Sequence, residues 1–531
     1  MGDVVDGRSK DERANGGGVT RRRFLALSAM GAVLLNAPKV LASQAKSGAA
    51  KAAGAARGAR ARLLTHGSPA VIQKTSGIRG APLGASFQSM ARPTSPMGRM
   101  FPSLPAHNPT DAAIKGLSKA IPALPAENPD NAGIRAGFTF LGQFIDHDIT
   151  FDASSPLIGQ NDPNTHISAA SAKLDLDSIY DEGPTASPQY YDPNDSKKIH
   201  LVVNSLGVLD VPRDQNNKAL LPDARNDQTV ILLQLHIAFC RFHNAMVDHV
   251  RNQGVSEDDV FETARRLVRW HYQWVVVKHF LPTVAHQTNV NQVLVDVGGI
   301  PTVQNLYYTP TFGDPYAPVE FTVAAYRAFH SIVRDRYRVN PLRSSVGLLG
   351  RFDNSLIGGR QLPPDLVIEW QNFFPIPGIS TTPQATKKLD RRLSNPLKQL
   401  PLEVYAVSGH RNLAERNMLR ARSFGLPAGQ DVAAFMGQEV IPHSQFDLPD
   451  AGWEGKTPLW YYILGEAEFT QNGSRLGPVG ARIVAEVLLG MMAADPDAYL
   501  AAEPTFQPAP PIAPAEGSFE MGNLLQFAGA A

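Results

Sequence analysis

The sequence predicts a mainly α-helical fold, one large domain with long loops and little β structure. Three observations predict it. Apolar residues recur at helical spacing over Asp227–Val250, Glu257–His279, Phe321–Val333, Leu459–Phe469 and Leu476–Ala493, whereas strand-like alternation is rare and short. The 42 prolines and 44 glycines imply many loops between these stretches. The 531 residues, 43% of them hydrophobic, suffice for a sizeable core; length alone would allow roughly three domains, but no internal repeat and no second linker divides the chain.

Taken in order, the chain starts with a segment of export type. "TRRRFLALSAMGAVLLNAPKVLAS" sets Arg21, Arg22 and Arg23 before Phe24 and Leu25, then an apolar stretch and a small-residue exit at Ala42 and Ser43. The pattern resembles a bacterial twin-arginine signal. Residues 1–43 are therefore expected to be a signal peptide taken by the twin-arginine export machinery, placing the folded chain in the periplasm, envelope or medium. The blander reading is a basic arm before an ordinary helix. Asn36, Pro38 and Lys39 interrupt the apolar stretch, which falls short of a span of about 20 residues. Residues 44–86, rich in Ala, Gly, Lys and Arg, read as a flexible linker, and residues 87–531 as the globular domain. No later stretch looks apolar enough to span a membrane. The net charge of +1 gives no electrostatic reason to expect a nucleic-acid partner. Cys240, the one cysteine, cannot form an intramolecular disulfide and is expected to be buried and inert.

Four polar knots interrupt the apolar pattern. "LGQFIDHDITFD", Leu141–Asp152, places polarity where burial is expensive unless something pairs with it. On a helix, Gln143 and His147 share a face, with Asp146 and Asp148 about 100° to either side; alone, such a cluster is more often structural than catalytic. In "SAKLDLDSIYDEG", Ser171, Asp175 and Asp177 alternate around Lys173, so their oxygens can gather on a hard cation such as calcium, or form a solvated acidic turn. An EF-hand is excluded, since Ile179 takes a ligand position and no glycine follows. In "LPDARNDQTVILLQLHIAFCRFHNAMV", Arg225 stands between Asp223 and Asp227 ahead of a very apolar helix. It is either aimed into a pocket or part of a salt bridge at the helix start, with Asp223 or Asn226 as cap. His236, Arg241 and His243 read as buried hydrogen-bonding residues, and no His-Glu-x-x-His string supports a zinc protease. In "FTVAAYRAFHSIVRDRYRVN", His330 ends an apolar face with Arg327 one turn before it, either a haem ligand or a satisfied core histidine.

In this order the knots resemble those of the animal haem peroxidase, or peroxidase–cyclooxygenase, superfamily, nearest its bacterial members. Gly142–Asp148 is similar to the family's Gly-Gln-x-x-Asp-His-Asp, Ser171–Asp177 to its calcium loop, and Asp223–Asn244 to its Asp-x-Arg segment and following helix. Arg327–His330 resembles its Arg-x-x-His, and "NMLRARSFGLPAG" from Asn417 its Asn-Met-x-Arg…Gly-Leu-Pro. The likeness spans roughly Phe138–Leu500. It implies the large helical haem peroxidase fold, haem b and Ca2+, with hydrogen peroxide as substrate and phenolics, halides or thiocyanate as donors oxidised through a ferryl intermediate. By the same resemblance His147 is the catalytic base, Arg225 stabilises charge as the O–O bond breaks, and Gln143 bonds water or a small anion. His330 ligates haem iron, Asn417 accepts the other N–H of that imidazole, Arg420 pairs with a propionate, and Arg327 belongs to the haem-binding motif. Asp148, Ser171, the Lys173 carbonyl, Asp175 and Asp177 hold calcium. Asp146 occupies one haem-ester position, but Gln228 stands where mammalian members have the second carboxylate and Thr229 where one has methionine. At most one ester link, through Asp146, is therefore expected.

Two other functions compete. A fatty-acid dioxygenase or cyclooxygenase would carry a tyrosine three residues before His330; Arg327 stands there, and Tyr326, four before, is expected to point away on an α-helix. A haem-bearing adhesion or binding module is the other alternative.

Overall fold

Seven α-helices of ten or more residues organise the described part of the chain: α1 (Asp111–Ala120), α2 (Gly137–Ile149), α3 (Val230–Asn252), α4 (Val260–Val275), α5 (Leu413–Ser423), α6 (Leu459–Gln471) and α7 (Pro478–Ala494). The computed structural model describes residues 95–121, 130–151, 157, 160–163, 167–168, 170–350, 354–400, 410–448 and 451–531. The expected signal peptide (1–43) and linker (44–86) lie outside the described residues, as does Asp152. The expected helices near 227, 257, 459 and 476 are present, and strands are short and confined to sheets of two or three.

The helix α2 has no side-chain N-cap. A loop supplies the missing partners instead: Ala136 N–H donates to the Gln384 carbonyl (2.7 Å) and Gly137 N–H to the Phe373 carbonyl (3.1 Å). Strand Asp130–Arg135, paired antiparallel with Ala385–Lys387, holds that loop alongside. Position 137 must be glycine, since a Cβ there would lie 2.4 Å from the Phe374 ring. On the core side Phe144 of α2 stacks on Phe239 of α3 (centroids 4.6 Å, 8°), and Tyr272 of α4 meets both edge-on. Aromatic contacts of this kind add about 0.5–1.5 kcal/mol beyond area burial.

The 23-residue α3 starts at Thr229, whose hydroxyl accepts the Leu232 N–H. By length and composition this helix would pass for a membrane span, against the expectation that no later stretch would. It is a core helix: 83% of its apolar window is buried inside the protein. His236 and His243 are buried and hydrogen-bonded on it, as expected. Arg241 is instead half-buried, donating to the Gly529 carbonyl near the C-terminus. Cys240 is fully buried, which pushes its thiol pKa up.

One expected helix is not regular. Phe321–Val333 is a π-helical turn, Glu320–Ala325, followed by a 3-10 turn, Tyr326–His330. The widened turn is held by buried Glu320, which accepts the Met100 and Phe101 N–H groups, and by Arg327, whose Nε donates to the Thr322 carbonyl (2.9 Å). In the tightened turn, residues three apart eclipse. Arg327 and His330 therefore share a face.

Candidate active site

A cavity of ≈ 260 Å³ lies where α2, the Asp223–Thr229 segment, the Tyr326–His330 turn and α5 meet. Into it come Gln143, Asp146 and His147 from α2, then Arg225, Gln228 and Thr229, then Tyr326, Arg327 and His330, and finally Arg416 and Arg420 from α5. Leu157, Phe329, Val333, Leu348, Leu349, Leu397, Leu400 and Leu413 supply apolar lining. Two histidines far apart in sequence thus share one space.

His147 is buried, with Nδ1 2.9 Å from Asn226 Oδ1. The other end of that amide, Nδ2, lies 3.2 Å from His236 Nδ1. With the carbonyl facing it, His147 carries its proton on Nδ1 and keeps the Nε2 lone pair, the form a general base requires. Burial, reinforced by the Arg225 cation, pushes its pKa down to about 4. At neutral pH the ring is uncharged.

Arg225 satisfies both readings of its motif. Its Nε and Nη2 grip the buried Asp223 carboxylate (2.6–3.1 Å), and Nη2 also donates to the His147 carbonyl (2.8 Å). That carbonyl is in the last turn of α2, where intrahelical donors run out. The guanidinium lies 4.3 Å from the centre of the Phe151 ring. Of the two possible caps Asp223 is the one used, accepting Arg225 N–H, while Asn226 turns to the histidines. Asp227 pairs with Arg213 (2.8 Å) rather than with Arg225.

Gln143 Nε2 donates to Gln228 Oε1 (3.2 Å), and Thr150 Oγ1 donates to Asp146 Oδ1 (3.0 Å). Gly358 N–H donates to the Gln228 carbonyl (2.8 Å) and Gly359 N–H to the Asp227 carbonyl (2.9 Å), holding that backbone in place. Only glycine permits this approach, for a Cβ at 358 would sit 1.8 Å from the Asp227 oxygen.

The His330 ring meets Asn417, a fully buried residue of α5, at 3.1 Å from Nδ1 to Asn417 Nδ2. Arg327 Nη1 donates to the carbonyl end of the same amide (3.4 Å). In this arrangement Asn417 donates to the ring, the reverse of the acceptor role expected, because Arg327 claims its oxygen. Turning the amide through 180° would offer Oδ1 to an Nδ1–H and leave Nε2 free to bind a metal. Burial and the Arg327 cation push the His330 pKa down to about 3. The expectation that Tyr326 points away also fails: its hydroxyl donates to the Gly142 carbonyl (3.1 Å) and its ring lines the cavity. The π and 3-10 turns rotate it from where an α-helix would put it.

Behind His147, α2 presents Asp148 to a second cluster. Asp148, Asp175 and Asp177 bring carboxylate oxygens within 4.8 Å of one another. Asp148 is completely buried and neither of its oxygens accepts a hydrogen bond; the Leu176 amide and the Tyr272 hydroxyl face it outside bonding geometry. Burial, then the Asp175 and Asp177 charges, push its pKa well up, and burial raises that of Asp175. Ser171 Oγ donates to Asp175 (2.9 Å) and Ser171 N–H to Asp177 (3.2 Å). The Lys173 side chain is turned onto Asp495 (2.9 Å), so only its backbone could serve a cation here. The donor set, hard oxygens with an orphaned carboxylate, fits a divalent cation such as calcium.

Three contributors carry no motif of their own. In the sequence Asn226 looks like an ordinary cap and His236 like a core histidine. Arg416 has a signal, its spacing of four from Arg420 on a helix, which sets both on one side.

A sequence model of the family described as animal haem peroxidase matches residues 158–448, from just after α2 through α5. A peroxidase-like protein of Margaritifera margaritifera is 30% identical over 151 residues, 27% of this chain and 18% of that protein. The chorion peroxidase of Aedes aegypti is 27% identical over 243 residues, 44% of this chain and 29% of that protein. The chain thus spans under a third of the length of these curated relatives. Among solved structures, peroxidase A from Dictyostelium discoideum superposes with a TM-score of 0.55 at 15% identity, covering 81% of this chain and 94% of that one. A fatty acid alpha-dioxygenase from Oryza sativa gives 0.53 at 13% identity, covering 77% of each. These two likenesses establish a shared helical fold.

Proposed function

The chain belongs to the animal haem peroxidase family, and from that premise we propose that it is a haem peroxidase, reducing hydrogen peroxide at the expense of phenolics, halides or thiocyanate. One observation carries the reading: His147, Arg225 and Gln143 share a cavity with His330. The cavity suits a flat macrocycle with an acidic edge, since leucines line it and Arg416 and Arg420 stand four residues apart on α5 beside it. His330 would ligate the iron, and the two arginines would pair with propionates. Haem, when bound, supplies the redox-active iron that takes oxidising equivalents from peroxide.

The chain's own residues then divide the work. His147 Nε2 accepts a proton from peroxide and returns it to the departing oxygen. Asn226 holds that imidazole in the required tautomer. Arg225, fixed by Asp223, offers a cation where negative charge grows as the O–O bond lengthens. Gln143 hydrogen-bonds the water or small anion next to His147. Asp148, Ser171, Asp175, Asp177 and the Lys173 carbonyl would hold calcium, anchoring α2 one residue beyond the base. Arg225→Ala should slow the peroxide reaction by about a hundredfold, with the Soret band intact; stopped-flow traces superimposing on wild type would remove Arg225 from the mechanism.

Tyr326 favours a second reading, a haem-dependent fatty-acid dioxygenase, because it lines the cavity beside His330. Linoleate should nevertheless elicit little oxygen uptake. Uptake as fast as phenol oxidation would reverse the preference.

A further inference from the structure

A second cavity, ≈ 690 Å³, lies between α1 and α6. Phe446, Trp453 and Tyr461 give it aromatic walls, and Ala113 and Gly116 of α1 leave room in front of them. Both cations at its edge are paired: Arg392 Nη1 lies 2.9 Å from Asp390 Oδ2, and Arg391 is held by Glu468 (Nε to Oε2, 2.8 Å) and by the Phe446 carbonyl (3.1 Å), 4.7 Å from the centre of the Phe469 ring. A space with aromatic walls and neutralised cations suits an uncharged aromatic guest.

What distinguishes this cavity is where it leads. Tyr461 adjoins Trp460, ring centroids 6.2 Å apart, and Trp460 is fully buried. The Trp460 indole N–H donates to the Arg327 carbonyl (3.2 Å), and Arg327 lines the first cavity on the same turn as His330. Two aromatic side chains able to give up single electrons thus stand in sequence between the two spaces.

We propose that the second cavity binds neutral phenols, and that Tyr461 and Trp460 carry their electrons singly to the haem cavity. The proposal rests on the haem peroxidase reading, which supplies the oxidant. Trp460 gives one electron to the peroxide-oxidised haem and recovers it from Tyr461, whose hydroxyl is hydrogen-bonded to Arg391 and releases its proton to water at the open side of the second cavity. The bound phenol then gives a hydrogen atom to the tyrosyl radical, restoring Tyr461. The sum is phenol to phenoxyl radical, one electron to the haem and one proton to solvent.

Three variants test it: Trp460→Phe, Tyr461→Phe, and Gly116→Trp, which fills the cavity from a position where a Cβ meets no atom within 4 Å. Each should lower kcat/KM for 2,6-dimethoxyphenol by about tenfold or more while that for iodide stays within about twofold. In haem-free protein the same phenol should quench tryptophan fluorescence saturably, and Gly116→Trp should abolish the saturation. Unchanged phenol oxidation in variants that still oxidise iodide, or non-saturable quenching in the wild type, overturns the second site alone. A wild-type protein whose Soret band ignores peroxide overturns the reading beneath it.

Discussion

Asn226 holds two imidazoles at once, its oxygen on His147 and its nitrogen on His236. All three side chains are buried, where an amide with either end unpaired would be costly, so each bond fixes the other. Asn226→Ala should free the His147 ring and slow the peroxide reaction by about 10–100-fold without loss of haem. Wild-type rates in that variant would mean something else sets the tautomer. Arg225 is constrained just as firmly, by a carboxylate two residues back in the chain and a carbonyl on another helix. The charge-bearing residues could be picked out beforehand because each is costly to bury. Asn226 could not, since an uncharged amide at a helix start is an ordinary cap until its partners are known.

Among the elements, α2 does most to join the site to the scaffold. Successive side chains turn about 100°, so one turn sends His147 to the cavity and Asp148 to the carboxylate cluster, while Phe144 packs against α3 and α4. A cation held by Asp148, Asp175 and Asp177 would therefore brace the helix that carries the base. Adding EGTA should lower the thermal midpoint and slow the peroxide reaction, and calcium should restore both. With calcium at about a hundredfold its dissociation constant the difference is about 2.7 kcal/mol; identical calorimetric midpoints with and without the ion would rule out a structural cation. The 320–330 segment teaches the opposite lesson. Its apolar spacing predicts a helix and a helix-like turn is there, but the long-range bonds of Glu320 to the Met100 and Phe101 amides, with the local bond of Arg327 to the Thr322 carbonyl, alter the winding and bring Tyr326 to the cavity.

At the scale of the whole molecule, the core traps several neutral histidines. His236, His243 and His271 lie outside the proposed ligand sets, and burial pushes each pKa down to about 4. Unfolded, they would titrate near 6.5. Between those values the unfolded chain binds more protons, so stability is complete above pH ~6.5 and declines as the pH falls toward 4. By pH 5 each should cost about 2 kcal/mol, and the thermal midpoint should drop well below its pH 7 value; a midpoint flat from pH 7 to 5 would show these rings protonated or exposed in the fold. The sequence by itself determined the helical class, four of the seven long helices of the described residues from periodicity alone, and the residue types able to serve haem, peroxide and a hard cation. The helices follow from periodicity, a local property of the chain, and the site residue types from motifs whose order resembles the family's. Only the tertiary structure decided which way Tyr326 turns, that Asn417 meets both His330 and Arg327, that Asn226 bridges His147 to His236, and that Tyr461 and Trp460 stand between two cavities. Those outcomes depend on contacts between segments tens to hundreds of residues apart, and no local pattern encodes which of several adequate partners a buried polar group will meet.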